Sequence, residues 1–166
     1  MGLTSPVTTL LQQLKPGPVA LDTVIFIYFI EEHPNYIQTL VPVFEAIAEG
    51  KLRAATATLT LLETLVVPLK NSNLALAGQY ESILTHSHDL ELVELTLPIL
   101  RIAARLRAIT NIKTPDAIQL AAAIHTKCSV FLTNDRKIPS IDGIEIIQIS
   151  DFRLDKVLSH GETEIE

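Results

Sequence analysis

Residues 112–124 read IKTPDAIQLAAAI and predict a helix that starts beside an acidic residue and packs closely against a sheet. Thr114 can cap the helix, Pro115 suits the first helical position, and Asp116 falls in the first turn, where a negative charge is favoured. The alanines that follow give the helix a low apolar face that can approach a sheet closely. This stretch therefore predicts a carboxylate held at the mouth of a buried helix.

The next motif supplies a second acid. Residues 128–133 read CSVFLT, a short run rich in β-formers, and Asn134 and Asp135 follow it directly. In an α/β sheet, the start of a helix and the end of a strand can meet at the same edge. We therefore expect Asp116 and Asp135 to lie in one site.

The whole chain alternates between strand and helix patterns. This order predicts a three-layer α/β/α fold with a mostly parallel central sheet, in which ligands bind at the carboxyl ends of the strands. Asp22 ends the first predicted strand and Glu63 lies near the start of a helix that opens onto the same edge. The other predicted strands span residues 52–58, 90–95 (an exposed or edge strand) and 144–149.

The 166 residues fit one domain. We expect an N-terminal extension or short peripheral helix at residues 1–17, the domain proper at 18–152, and an acidic, flexible tail at 153–166. Thr23 is expected to cap the helix that follows the first strand.

Composition limits the class of protein. The chain is 48% hydrophobic, but its longest apolar run, Val24–Ile30, is far shorter than the roughly 18–20 residues of a membrane-spanning helix. The start of the chain lacks the layout of a signal peptide, and the single cysteine fits a reducing compartment, so we expect a cytoplasmic protein with no membrane partner. The net charge of −6 disfavours broad, nonspecific binding of nucleic acid.

Four acids separated in sequence, Asp22, Glu63, Asp116 and Asp135, are thus predicted to converge. Any one of them alone fits an ordinary capping or turn residue. Without a cation, each close pair would repel by up to about 4 kcal/mol at an effective dielectric constant near 20. Convergence therefore implies a divalent cation, and hard oxygen ligands suit Mg²⁺ or Mn²⁺.

The ordered set of motifs resembles a PIN domain, most closely the VapC-like toxins of bacterial toxin–antitoxin modules. The resemblance covers roughly residues 18–150 and rests on four short segments: LDT at 21–23 with the apolar run after it, TLTLLE at 58–63, KTPDA at 113–117 and LTND at 132–135.

This resemblance implies a Mg²⁺- or Mn²⁺-dependent endoribonuclease, in which metal-activated water attacks an RNA phosphodiester. By the family pattern, Asp22, Glu63 and Asp116 hold the metal and Asp135 completes the acidic pocket, directly or through water. Thr133 and Asn134 are then supporting polar residues.

The resemblance also implies partners: an RNA substrate, a small antitoxin that blocks the pocket, and a second copy of the chain in a homodimer. RNA needs a positive approach to an acidic pocket, and the candidates for phosphate contacts are Arg105, Lys113 and Arg136. The aromatic residues Phe26, Tyr28 and Phe29 are expected to belong to the core.

Three other functions were compared with the sequence, and the first two lack a residue that their chemistry needs. A haloacid-dehalogenase-type phosphohydrolase needs a second aspartate two positions after the first, where Val24 stands, and a receiver domain needs paired acids where Asp22 is single. The stronger alternative is a PIN-like module that binds nucleic acid or protein with little or no nuclease activity.

Overall fold

The structure is a computed structural model, and it describes residues 6–153, with side chains from residue 10 onward. The strands are β1 (Val19–Leu21), β2 (Ala54–Ala57), β3 (Leu90–Val93), β4 (Val130–Thr133) and β5 (Glu145–Gln148). The helices are α1 (Pro6–Leu14), α2 (Thr23–Ile30), α3 (Ile37–Ala48), α4 (Leu59–Lys70), α5 (Leu74–His86), α6 (Leu97–Ile109) and α7 (Thr114–His125), followed by a 3₁₀ helix at Ile149–Phe152.

The five strands form one all-parallel sheet in the order β3-β2-β1-β4-β5, which confirms the predicted α/β architecture. The strand predicted to be exposed, β3, is indeed at one edge. β1 lies in the middle, between β2 and β4, and all three of its residues are buried. The residue after β1, Asp22, is therefore held at the centre of the carboxyl edge of the sheet.

Two apolar cores cover the two faces of the sheet. On one face, side chains of α1, α2 and α3 pack against residues such as Leu21 and Leu132. On the other face, α6 and α7 pack against residues such as Ala55 and Phe131. Ala117 and Ala121 of α7 are completely buried, so this helix approaches the sheet through small side chains, as its sequence predicts.

The N-terminal helix α1 contributes to the first core, because it packs against α3 and its Leu10 and Leu14 are fully buried members of that core. Residues 154–166, which hold nearly all of the predicted acidic tail, lie outside the described part of the chain. Within residues 6–153, none of the helices combines the length and the apolar character needed to cross a bilayer.

Two helix caps differ from the prediction. Thr23 is the first residue of α2 rather than its cap, and Asp22 occupies the cap position, where its carboxylate accepts from the Thr23 backbone N–H. Thr114 is likewise the first residue of α7, and Lys113 is at the cap position without a side-chain capping bond. In both cases the residue one position earlier already has the extended backbone of a cap, so the threonine that follows it is helical.

Candidate active site

Four separate elements bring the predicted acids to the carboxyl edge of the sheet. Asp22 directly follows β1, Glu63 lies in α4 after β2, and Asp116 lies in the first turn of α7. Asp135 is two residues beyond β4. The acids interact electrostatically across these elements, with Asp22 as the common partner of the other three.

Asp22 is fixed by two hydrogen bonds. Its Oδ1 atom accepts from the Thr23 backbone N–H at 2.9 Å, and its Oδ2 atom accepts from the Thr133 hydroxyl at 2.7 Å. The backbone N–H of Asp22 also donates to the Leu132 carbonyl at 3.0 Å. Together these bonds hold the carboxylate between the end of β1 and the end of β4.

Thr23 forms hydrogen bonds with both Glu63 and Asp22. The Thr23 hydroxyl donates to Glu63 Oε1 at 2.8 Å, while the backbone N–H of the same threonine binds Asp22. One buried threonine therefore contacts both carboxylates and sets their relative position.

Asp135 lies in a short turn after β4. Its backbone N–H donates to the Thr133 hydroxyl at 3.1 Å, and its Oδ1 atom accepts from the Lys137 backbone N–H at 2.9 Å. Asn134 lies between Thr133 and Asp135 in the sequence, and its side-chain amide donates to the Tyr28 hydroxyl at 2.8 Å. Thr133 thus contacts two of the acidic residues, and Asn134 anchors the turn to α2.

The electrostatics follow from this crowding. Burial raises the pKa of Asp22 above its usual range, and the charges of Glu63 and Asp135 raise it further, against the lowering effect of its two hydrogen bonds. Burial also raises the pKa of Asp116, as do the charges of Asp22 and Asp135, while Lys113 lowers it. The folded chain therefore holds like charges together at a free-energy cost.

The donor set fits a divalent cation in chemical kind, because carboxylate oxygens are the ligands that Mg²⁺ and Mn²⁺ prefer. A cation would also offset the repulsion that raises the two pKa values. Across residues 6–153, however, no three His, Cys, Asp or Glu side chains are placed so that they could hold one ion together. The acids are neighbours without forming a closed coordination site.

A buried network of neutral polar side chains lies behind the acids, and it was not predicted from the sequence. Gln119 is only 2% exposed; its Nε2 atom donates to the Thr60 hydroxyl at 2.8 Å, and its Oε1 atom accepts from the Ala57 backbone N–H at 3.1 Å. The Thr60 hydroxyl in turn lies 2.7 Å from that of Thr56 and 3.1 Å from that of Thr23.

This network joins α2, β2, α4 and α7, and one of its members, Thr23, bonds to the carboxylates of Asp22 and Glu63. The last residue pair between β1 and β2 is Ala20 with Ala55, so β1 offers no paired residue to Ala57. The side chain of Gln119 accepts the hydrogen bond from the Ala57 backbone N–H instead. A signal was available in the sequence, because Gln119 is the one polar residue in the alanine-rich stretch and shares a helix face with Asp116 three positions earlier.

The three basic residues that were predicted to contact RNA phosphates are all exposed but have different neighbours. Lys113 is exposed and close enough to Asp116 to lower its pKa. Arg136 is also exposed, and its guanidinium donates to Asp151 at 2.8 Å and to the Ser150 hydroxyl at 3.0 Å. Arg105 is on the exposed face of α6.

The fold and the site define a class: an all-parallel α/β domain with four interacting acids at the carboxyl edge of its sheet. The sequence profile of one family, described as the PIN domain, matches residues 19–144. The chain therefore belongs to the PIN domain family. A comparison with curated protein sequences finds no match.

Solved structures with the same fold include a toxin–antitoxin complex from Klebsiella pneumoniae, a chain of which is 20% identical with a TM-score of 0.57, over 76% of this chain and 95% of that one. A chain of VapBC2 from Rickettsia felis, bound to a DNA fragment from its promoter, is 20% identical with a TM-score of 0.60, over 78% of this chain and 97% of that one. A chain of DNA-bound VapBC from Salmonella typhimurium is 21% identical with a TM-score of 0.57, over 79% and 97%. A chain of FitAcB from Neisseria gonorrhoeae is 14% identical with a TM-score of 0.60, over 80% and 99%. At these identities the likeness is one of fold.

The first prediction concerns the buried network. Gln119→Leu should lower the free energy of unfolding by about 1–3 kcal/mol, because it leaves the Ala57 N–H buried without its acceptor. Urea unfolding measures this, and Gln38→Leu on the exposed face of α3 is the matched control, expected to stay within about 0.5 kcal/mol of the parent chain. Equal stability of Gln119→Leu and the parent chain would contradict the role assigned to the network.

The second prediction concerns pH. The pKa values of Asp22 and Asp116 are raised in the folded chain, so the folded state keeps these protons to higher pH than the unfolded state does. The free energy of unfolding should therefore fall as pH rises from the ordinary carboxyl range through the raised pKa values.

Asp116→Asn tests this directly in urea unfolding with a chelator present. It should be more stable than the parent chain by about 0.5–1 kcal/mol near neutral pH, and the gain should disappear below about pH 3, under the ordinary pKa of an aspartate, where the carboxyl is protonated in both states. The exposed Asp142→Asn is the control. Loss of stability in Asp116→Asn at neutral pH would contradict this account of the electrostatics.

Proposed function

We propose that this PIN domain is a Mg²⁺- or Mn²⁺-dependent endoribonuclease and the toxin of a type II toxin–antitoxin module. The observation that carries the proposal is the set of four interacting acids at the carboxyl edge of the sheet, centred on Asp22. The family to which the chain belongs, and a toxin–antitoxin complex with the same fold, support it. A cytoplasmic location is part of the same proposal.

In this proposal, Asp22, Glu63 and Asp116 hold the cation and Asp135 completes the ligand set. When bound, the cation supplies an activated water for attack on phosphorus and offsets charge on the nonbridging oxygens. Thr23 and Thr133 orient the Asp22 carboxylate through its two hydrogen bonds, and Thr23 also orients Glu63. The buried network of Gln119 and the threonines then keeps these two carboxylates in place.

Phosphate binding is proposed for Arg105, Lys113 and Arg136. Lys113 lies closest to the acids and already interacts with Asp116. The ion pair of Arg136 with Asp151 is exposed on both sides, and pairs of this kind contribute only about 0–1 kcal/mol. A phosphate can therefore replace Asp151 as the partner of this guanidinium at little cost.

The direct test is an assay for cleavage of RNA that contains single-stranded loops, in the presence of Mn²⁺. The parent chain should cut RNA only with Mg²⁺ or Mn²⁺ present, and Asp22→Asn and Asp116→Asn should each lower the rate at least about a hundredfold, because each removes a ligand charge. Asp142→Asn is the control and should keep the parent rate. Expression of the parent chain without an antitoxin should slow growth, and expression of Asp116→Asn should not.

Metal binding can also be measured independently of nuclease activity, through thermal unfolding. Mn²⁺ should raise the unfolding temperature of the parent chain and leave that of Asp116→Asn nearly unchanged, because ligand binding to the folded state alone stabilises it. Cleavage that is insensitive to Asp116→Asn would contradict the proposed ligand set.

The second candidate is a PIN-like binding module with little or no nuclease activity. It is favoured by one observation: in the described residues, the acids do not form a closed ion site. RNA or protein binding without cleavage in Mn²⁺, together with a Mn²⁺ affinity unchanged by Asp116→Asn, would support this candidate over the nuclease.

A homodimer and an antitoxin partner complete the proposal. One structure with the same fold is described as a toxin–antitoxin complex, which supports an antitoxin. Apolar residues Leu62, Val66 and Val67 of α4 are each more than half exposed, which is compatible with a covered face in an assembly. Light scattering should give about twice the 18.3 kDa mass of one chain, and a monomer at high concentration would contradict the dimer.

A further inference from the structure

Three aromatic rings cluster at the end of α2. Tyr28 and Tyr36 stack with ring centroids 4.6 Å apart and an interplanar angle of 30°. The His33 ring lies 4.8 Å from each of them. Tyr36 is 5% exposed and belongs to the core, whereas Tyr28 and His33 are half-buried. The cluster therefore has one buried residue, Tyr36, and two residues that keep part of their surface open to solvent.

A hydrogen bond connects this cluster to the acidic site. The Tyr28 hydroxyl accepts from the side-chain amide of Asn134 at 2.8 Å, and Asn134 is the residue between Thr133 and Asp135. The rings thus lie beside the turn that carries one of the four acids. This turn is held from its other side by Gln148, whose side-chain Nε2 donates to the Asp135 carbonyl at 3.0 Å.

Local contacts fix the orientation of the His33 ring. Its Nδ1 atom accepts from the Asn35 backbone N–H at 3.1 Å, and its own backbone N–H donates to the Tyr28 carbonyl at 2.8 Å. Because Nδ1 is an acceptor in this bond, the ring of the neutral side chain carries its proton on Nε2. The ring is therefore preorganised, and little side-chain entropy remains to be lost when a flat group binds to it.

We propose that Tyr28 and His33 form a subsite that stacks one unpaired nucleobase beside the acidic site. The proposal rests on the proposed nuclease function and deepens it. The chain carries a net charge of −6, so phosphate contacts alone give limited attraction for RNA. Stacking on an aromatic ring adds affinity that needs no positive charge and accepts any base.

The sequence predicts a core position for Tyr28. Part of that expectation holds, because the Tyr28 ring packs on buried Tyr36. The structure adds the half-buried ring of His33 and the link to Asn134, and neither follows from the spacing of the residues. The competing explanation is that His33 serves only to terminate α2 through the acceptor bond from Asn35.

Two substitutions at one position separate these roles. His33→Phe keeps an aromatic ring and removes the acceptor for the Asn35 N–H. His33→Asn removes the ring and keeps an acceptor oxygen close to the place of Nδ1. Each is compared with the parent chain, all in the Asp116→Asn background so that RNA stays intact during the measurement.

The probe is a set of fluorescent single-stranded RNA nonamers, each with one abasic position, and the readout is the dissociation constant from anisotropy. For the parent chain and for His33→Phe, one abasic position should weaken binding by about five- to a hundredfold. For His33→Asn this difference should be lost. Tyr28→Phe and Tyr28→Leu repeat the comparison at the second ring, and thermal unfolding checks that each variant is folded.

Three outcomes would overturn the subsite. These are an absence of measurable RNA binding, an abasic series with no sensitive position in the parent chain, and an abasic penalty that His33→Asn retains in full. Failure of the nuclease proposal is separately visible. If the chain without Asp116→Asn cuts no RNA in Mn²⁺ while His33→Asn still removes the abasic penalty, the nuclease fails and the subsite stands.

Discussion

Repulsion between carboxylates is the constraint on which the rest of this structure depends. The parallel sheet directs the ends of β1 and β4 and the starts of α4 and α7 to one edge, and an acid lies near each of them. Burial and mutual charge raise the pKa values of Asp22 and Asp116, so this arrangement opposes folding when the acids are ionised. The surrounding chain has to hold them in place against that force.

Neutral hydrogen-bonding groups provide the support. Thr23 and Thr133 bind the carboxylate oxygens of Asp22, and Gln119 joins the threonines beneath them to the backbone of β2. Because these groups carry no net charge, they orient the acids without neutralising them. A cationic side chain in the same place would form an ion pair and remove the negative potential that makes the edge suitable for a divalent ion.

Much of this architecture was predictable from the sequence. The alternation of strand and helix patterns gives the parallel sheet, and the alanines of α7 predict its close approach. The acids could be assigned to one edge because topology alone brings strand ends and helix starts together. Their individual roles as metal ligands stay a prediction.

Other features depend on contacts that no local pattern records. Gln119 pairs with Ala57, which is 62 positions away in the sequence, and Asn134 pairs with Tyr28 at a separation of 106. The predicted caps of α2 and α7 are each one residue late, because the backbone path places the extended cap conformation at Asp22 and Lys113, and residue type does not record that path. Leu10 and Leu14 looked like part of a peripheral segment because their burial depends on the distant helix α3.

The most direct test of the central claim is anomalous diffraction at the manganese absorption edge from crystals of the full chain grown with Mn²⁺. If the carboxyl edge of the sheet gathers these acids to bind a cation, the strongest anomalous peak will lie against the Asp22 carboxylate, with Glu63 or Asp116 as a second ligand. A fully ordered edge without such a peak, at a Mn²⁺ concentration that occupies other sites in the crystal, would contradict the account.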